Sequence, residues 1–87
     1  MYNITQYTFD RARELGVTVK PSTLKGKKID VYENGKKIAS IGAIGYKDYP
    51  TYLKEKGKEY ADERRRLYHI RHKENTLNEK LALYLLW

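Results

Sequence analysis

Residues Gly42–His72, GAIGYKDYPTYLKEKGKEYADERRRLYHIRH, carry a bend directly into a long basic helix, and the rest of the chain is organised around them. Gly42 and Gly45 bracket a bend, because glycine reaches backbone angles that other residues resist. Asp48-Tyr49-Pro50 reads as a helix start, with Pro50 at the first helical position and Asp48 or Tyr49 as the cap. Thr51–Lys56 gives a short helix closed by Gly57, and Lys58 to about Glu74 gives the long one. Its acids (Glu59, Asp62, Glu63) come early and its bases (Arg71, His72, Lys73) late, which complements the helix dipole. Tyr60, Leu67, Ile70 and Leu77 follow one stripe and are expected to face the core. Arg64, Arg65 and Arg66 point in directions about 100° apart, so they do not all face one ligand.

Upstream, Asn34-Gly35 sits between two runs of strand formers, and Asn-Gly is the preferred pair for a two-residue type I′ hairpin turn. A hairpin of Lys28–Glu33 with Lys36–Gly42 follows. A plain two-residue turn sets Glu33 opposite Lys36, Tyr32 opposite Lys37, Val31 opposite Ile38, Asp30 opposite Ala39 and Ile29 opposite Ser40. Ile29, Val31 and Ile38 then form the core face, and Tyr32, Ala39 and Ile41 a second, less complete one. Val17–Val19 before Pro21 reads as a brief strand or extended arm, and PSTLKGKK as a basic loop. Residues 3–15 read as an amphipathic helix with Ile4, Tyr7, Ala12 and Leu15 on its apolar stripe, Asn3 or Thr5 as its cap and Gly16 as its stop.

Downstream, Thr76-Leu77-Asn78-Glu79 has the capping-box pattern. It introduces a final helix, Leu77–Leu86, followed by Trp87 as a core plug or interface anchor. The expected architecture is α+β in one domain over residues 1–87, with helix over 3–15, a β-hairpin over 28–42, a helical region over 50–74 and helix over 77–86. Among the tyrosines, Tyr7, Tyr46, Tyr49, Tyr60 and Tyr84 are expected to be at least half buried.

Composition narrows the function classes. The chain has 87 residues, no cysteine and a formal net charge of +7. That balance favours polyanions: nucleic acid, an anionic membrane surface or an acidic protein. The charge is local, with six lysines against Asp30 and Glu33 in residues 20–37. No apolar run approaches the ~20 residues of a membrane span. The first residues lack the basic-then-apolar pattern of a signal peptide, and with no cysteine the expectation is an intracellular, soluble protein.

The stretches Gly42-Ala-Ile-Gly-Tyr-Lys-Asp-Tyr49 and Asp62–His72, together with Leu85-Leu86-Trp87, resemble an uncharacterised family of small basic proteins encoded by large double-stranded DNA viruses, including those of algae and amoebae. The piece Leu15–Thr23 matches longer members, so the resemblance spans nearly the whole chain. Many members approach the final Leu-Leu-Trp through a Gly-rich, Tyr-containing segment, whereas Asn75–Tyr84 here has no glycine. The resemblance implies a viral source, a place in the infected host cell (cytoplasm or nucleus) and in the virion, and no catalytic residue to transfer.

The residues themselves argue against an enzyme. His69 and His72 lie i, i+3 on one helix, but Arg71 and Lys73 beside them repel a cation and no third ligand has a convincing spacing. No nucleophile–base pair, phosphate-binding loop or dinucleotide fingerprint is present, and no cofactor is implied. Nucleic acid is the better partner, DNA before RNA, held by phosphate contacts with little sequence readout. The candidate contacts are Lys25, Lys27, Lys28, Lys36, Lys37, Lys47, Arg64 and Arg65, with Tyr52, Tyr68 and Trp87 as stacking or interface groups. The alternative is a virion assembly protein, a capsid-associated adaptor whose contacts are mainly with other proteins. The sequence does not fix the oligomeric state.

Overall fold

The computed structural model describes residues 2–72 and 76–87. Asn34 and Gly35 both take positive φ (52° and 78°), as a type I′ turn requires. This turn joins β2 (Lys27–Glu33) to β3 (Lys36–Ala43). The short run before Pro21 is β1 (Thr18–Pro21), paired antiparallel to β2, so the sheet has the order β1-β2-β3. Four helices accompany it: α1 (Gln6–Leu15), α2 (Tyr49–Lys56), α3 (Lys58–Arg71) and α4 (Leu77–Leu85). The fold is α+β.

The hairpin departs from the expected register. Glu33 faces Lys36 and Tyr32 faces Lys37, but Val31 then faces Ala39, Asp30 faces Ser40 and Ile29 faces Ile41. The extra residue is Ile38, bulged out of the ladder. A one-residue shift moves a strand's whole set of side chains to the other face. Ile29, Val31, Ala39 and Ile41 therefore form one buried apolar face, not the expected Ile29, Val31 and Ile38, and Ile38 is only partly buried. The physical reason lies on the opposite side. The buried Asp30 carboxylate accepts hydrogen bonds from Ser40 Oγ and Ser22 Oγ, each at 2.6 Å. Without the bulge it would face Ala39 and lose the first of these.

α1 starts three residues later than expected, at Gln6, because Thr5 caps it by accepting from the Thr8 N–H. Gly16 stops it in the left-handed conformation. Its apolar stripe is shorter than read: Ala12 is buried and Leu15 exposed, while Thr8 is fully buried. Thr8 has a structural task. The last carbonyls of a helix lack intrahelical partners, and those of α4 end in the core. Thr8 Oγ1 donates to the Leu85 carbonyl (2.8 Å), Arg11 Nε to the Tyr84 carbonyl (3.0 Å) and the Tyr49 N–H to the Leu86 carbonyl (3.0 Å). α1 and α2 thus jointly cap α4. Its other end is capped by Thr76, whose Oγ1 accepts from the Glu79 N–H, the first half of the expected capping box.

α2 is capped by Asp48, has Pro50 in its first turn and closes at Gly57, as its sequence implies. α3 turns a different face inward from the one expected. Tyr60 (45% exposed) and Ile70 lie outside, as does Leu77, which opens α4 instead of continuing α3, whereas Ala61 is fully buried and Tyr68 packs on the core. The helix ends at Arg71 with His72 as its C-cap; Glu74 lies outside the described residues. Leu81, Leu85, Leu86 and Trp87 complete the core against the sheet. Each such side chain contributes about 1.5–3 kcal/mol when fully buried.

Candidate functional site

Trp87 is 8% exposed, so it plugs the core. Its ring stacks on Tyr68 at 4.2 Å between centroids and 9° between planes, and Tyr68 stacks on His72 at 4.0 Å and 19°. Three planar groups thus form one near-parallel stack. Helical geometry supplies two of them, because Tyr68 and His72 are four residues apart and so share a face. Tyr52 of α2 leans on Trp87 at 6.1 Å and 48°.

These rings line a cleft of about 450 Å³ between α3 and the Gly42–Lys47 bend. Leu67 and Leu86 add apolar surface, and Lys28, Lys47, Arg64 and Arg71 bring cations to it. No Asp or Glu side chain lines the cleft among the described residues. Arg64 and Arg71 are two helical turns apart on one face of α3, and neither has a carboxylate partner among the described residues. Arg64 lies over the Tyr52 ring, 5.5 Å from its centroid. Lys47 Nζ is 2.5 Å from Glu55 Oε1, but both side chains are nearly half exposed. An exposed pair of this kind is weak, and a competing anion can exchange into it.

Lys28 is the exception among the cations. Its side chain is 6% exposed and its Nζ lies 3.0 Å from Asp48 Oδ2 while also donating to the Tyr46 carbonyl. Asp48 further accepts from Tyr2 Oη (2.6 Å), Thr51 Oγ1 (2.6 Å) and the Thr51 N–H (3.1 Å). Burial pushes the Asp48 carboxyl up, but the hydrogen bonds from Thr51 and Tyr2 and the Lys28 ammonium outweigh it and hold the group below the usual carboxylate range. Burial, followed by the bond to Asp48, drives the Tyr2 phenol well above its ordinary value. This network fixes the bend that forms one wall of the cleft. Lys28 is therefore a structural cation and not the phosphate contact its sequence context suggests.

The other candidate contacts separate. Lys47 and Arg64 meet at the cleft. Lys27 lines a smaller crevice that shares Gly42, Tyr68 and His72 with it. Lys25 is exposed on the loop before β2, which the Ile44 N–H ties to the bend through the Gly26 carbonyl (2.9 Å). Lys36 and Lys37 are exposed at the far end of the hairpin, about 20 Å away at ~3.3 Å per strand residue. Arg65 lies over Tyr49, 5.0 Å from its centroid, in a hollow it shares with Lys58, Asp62 and His69. Arg66 pairs with Glu63 at 2.6 Å. The arginine run does diverge, and only Arg64 enters the cleft.

Of the stacking residues, Tyr52 and Tyr68 line the cleft and Trp87 forms its floor. Sequence reasoning missed Tyr46, Arg71 and His72. Tyr46, expected to be buried, is 76% exposed at the rim. Arg71 was detectable, since Arg64, Tyr68 and Arg71 stand at i, i+4 and i+7, the spacing of one helix face. Tyr7 is partly buried and its hydroxyl has no hydrogen-bond partner among the described residues, Tyr49 is buried and Tyr84 partly buried.

Comparison with protein-family models, with curated proteins and with solved structures finds no match. No helix is long and apolar enough to cross a membrane among the described residues. Nor do three His, Asp or Glu side chains converge among them to hold a metal ion.

Proposed function

We propose that this is a small basic viral protein that binds nucleic acid non-enzymatically, through phosphate contacts with little sequence specificity. The observation that carries the reading is the cleft: a floor of stacked rings, a rim of Lys47, Arg64 and Arg71, and no Asp or Glu side chain lining it among the described residues. Cations contact phosphates and release condensed counterions, a term independent of sequence. The exposed Tyr46 ring at the rim offers an aromatic face, which accepts any base. Of the side chains that read base edges, Asn, Gln, Asp and Glu are absent from the cleft lining, which leaves only its arginines and lysines, and these also serve phosphate. The resemblance to proteins of double-stranded DNA viruses makes DNA the polymer to test before RNA.

A capsid-associated adaptor has less support, because two of its three proposed anchors, Tyr68 and Trp87, are engaged in the intramolecular stack. The test is fluorescence anisotropy with labelled DNA and RNA oligonucleotides, titrated across salt. Three cleft cations predict a log–log slope of about −2 on single strands, at ~0.7 per phosphate neutralised. Absence of binding at low salt defeats the reading.

A further inference from the structure

The cleft is small for the polymer it is read as binding. At about 450 Å³ it is in the lower part of the range of small-molecule sites, roughly 300–1,000 Å³. That is room for one nucleotide-sized group and not for a duplex. We propose that the cleft seats a single unpaired base, so that the protein takes single-stranded nucleic acid in preference to duplex. The inference rests on the nucleic-acid reading above and specifies its ligand.

Three observations converge on it. The first is the wall chemistry. Both faces of Tyr68 are covered by Trp87 and His72, and Trp87 is buried, so these rings with Tyr52 wall the cavity while Tyr46 supplies the open aromatic face, against which a base stacks only when it has left its own stack. The second is the position of the cations. Arg64 and Arg71 are about 10 Å apart along α3, at 1.5 Å per residue, and Lys47 stands across from them on the bend. They flank the rings, so a base in the cleft keeps its backbone at the rim. The third is Tyr46. A tyrosine ring that is 76% exposed, beside a cavity otherwise lined by packed rings, is poised to close on whatever enters. Its carbonyl is held by the buried Lys28, so its backbone is anchored while its side chain stays in solvent.

Trp87 is the sole tryptophan, so its emission reports on the cleft alone. The experiment titrates the protein with a short oligothymidylate and with a hairpin duplex of equal phosphate count, following Trp87 emission and anisotropy together. The expected result is quenching of Trp87 by the single strand and affinity at least about tenfold tighter than for the duplex. Tyr46→Ala should weaken single-strand binding about tenfold, within the range of one lost stacking contact, and undiminished single-strand affinity in this variant overturns the seated base. The substitution is at an exposed side chain and leaves the core untouched. Equal affinity for both forms with unchanged Trp87 emission overturns the seated base while phosphate binding stands. Failure to bind either form at low salt overturns the nucleic-acid reading as well.

Discussion

Gly42→Ala isolates the packing that shapes the cleft. Gly42 has φ +78°, and a Cβ built there would lie 2.8 Å from Leu86 Cδ1, 3.0 Å from Lys28 Cδ and 3.1 Å from Lys28 Cβ. The left-handed conformation costs an L-residue about 1–2 kcal/mol. The added methyl costs a further ~1–3 kcal/mol, as overpacking of a closed core typically does. Neither neighbour yields easily: Leu86 is 2% exposed, and Lys28 is held by Asp48 and the Tyr46 carbonyl. The sum is about 2–5 kcal/mol. At about 4–8 °C per kcal/mol for a domain of this size, the melting temperature should fall by at least about 8 °C. Gly26→Ala is the control, because Gly26 has a similar φ of +85° but nothing within 4 Å of a Cβ. It should incur the conformational term alone. Thermal and urea unfolding of both variants decide the matter. Equal losses in the two would refute the claim that Leu86 and Lys28 close on Gly42.

Further outcomes follow from the same contacts. Thr8→Val leaves the Leu85 carbonyl buried without its donor and should cost about 1–3 kcal/mol; Thr8→Ser should restore most of it, as read from urea midpoints. Asp48 and Asp30 both titrate lower when folded than when unfolded, Asp30 chiefly through the hydrogen bonds from Ser22 and Ser40. Their contribution to stability is therefore complete above the unfolded-state value near ~4 and is lost as pH falls through the folded values. The urea midpoint should hold down to about pH 4 and then drop, and a midpoint unchanged in stronger acid would contradict this. Lys28→Glu should prevent folding, since it sets two carboxylates together in a buried site, visible as loss of the folded circular dichroism signal. Lys36→Glu with Lys37→Glu, at the hairpin tip, should alter oligonucleotide affinity far less than Arg64→Glu with Arg71→Glu, measured side by side by anisotropy.

Much of the fold is legible in the sequence because it rests on local chemistry. Asn34-Gly35, Gly16, Asp48-Tyr49-Pro50, Gly57 and Thr76–Glu79 each act within a few residues, and each ends or starts the element it implies. The bulge at Ile38 is not local. It satisfies Asp30, whose partners come from two separate segments, the loop after β1 and β3, and no turn rule contains that need. The inward face of α3 was misread for a related reason. Large apolar residues suggest a stripe, but a helix crowded with charge docks through its small Ala61 and its flat Tyr68. The cleft was half visible. Lys47, Arg64, Tyr52, Tyr68 and Trp87 were candidates on chemical type alone. Which lysines belong with them depends on strand length and on the burial of Lys28, and both follow from the tertiary packing.

The most direct measurement of the central claim is a two-dimensional amide and indole nuclear magnetic resonance titration of the protein with a short single-stranded DNA. The account predicts shifts concentrated at Tyr46, Lys47, Tyr52, Arg64, Tyr68, Arg71 and the Trp87 indole, with Lys36 and Lys37 little changed. Shifts confined to the hairpin tip, or none at any residue, would contradict it.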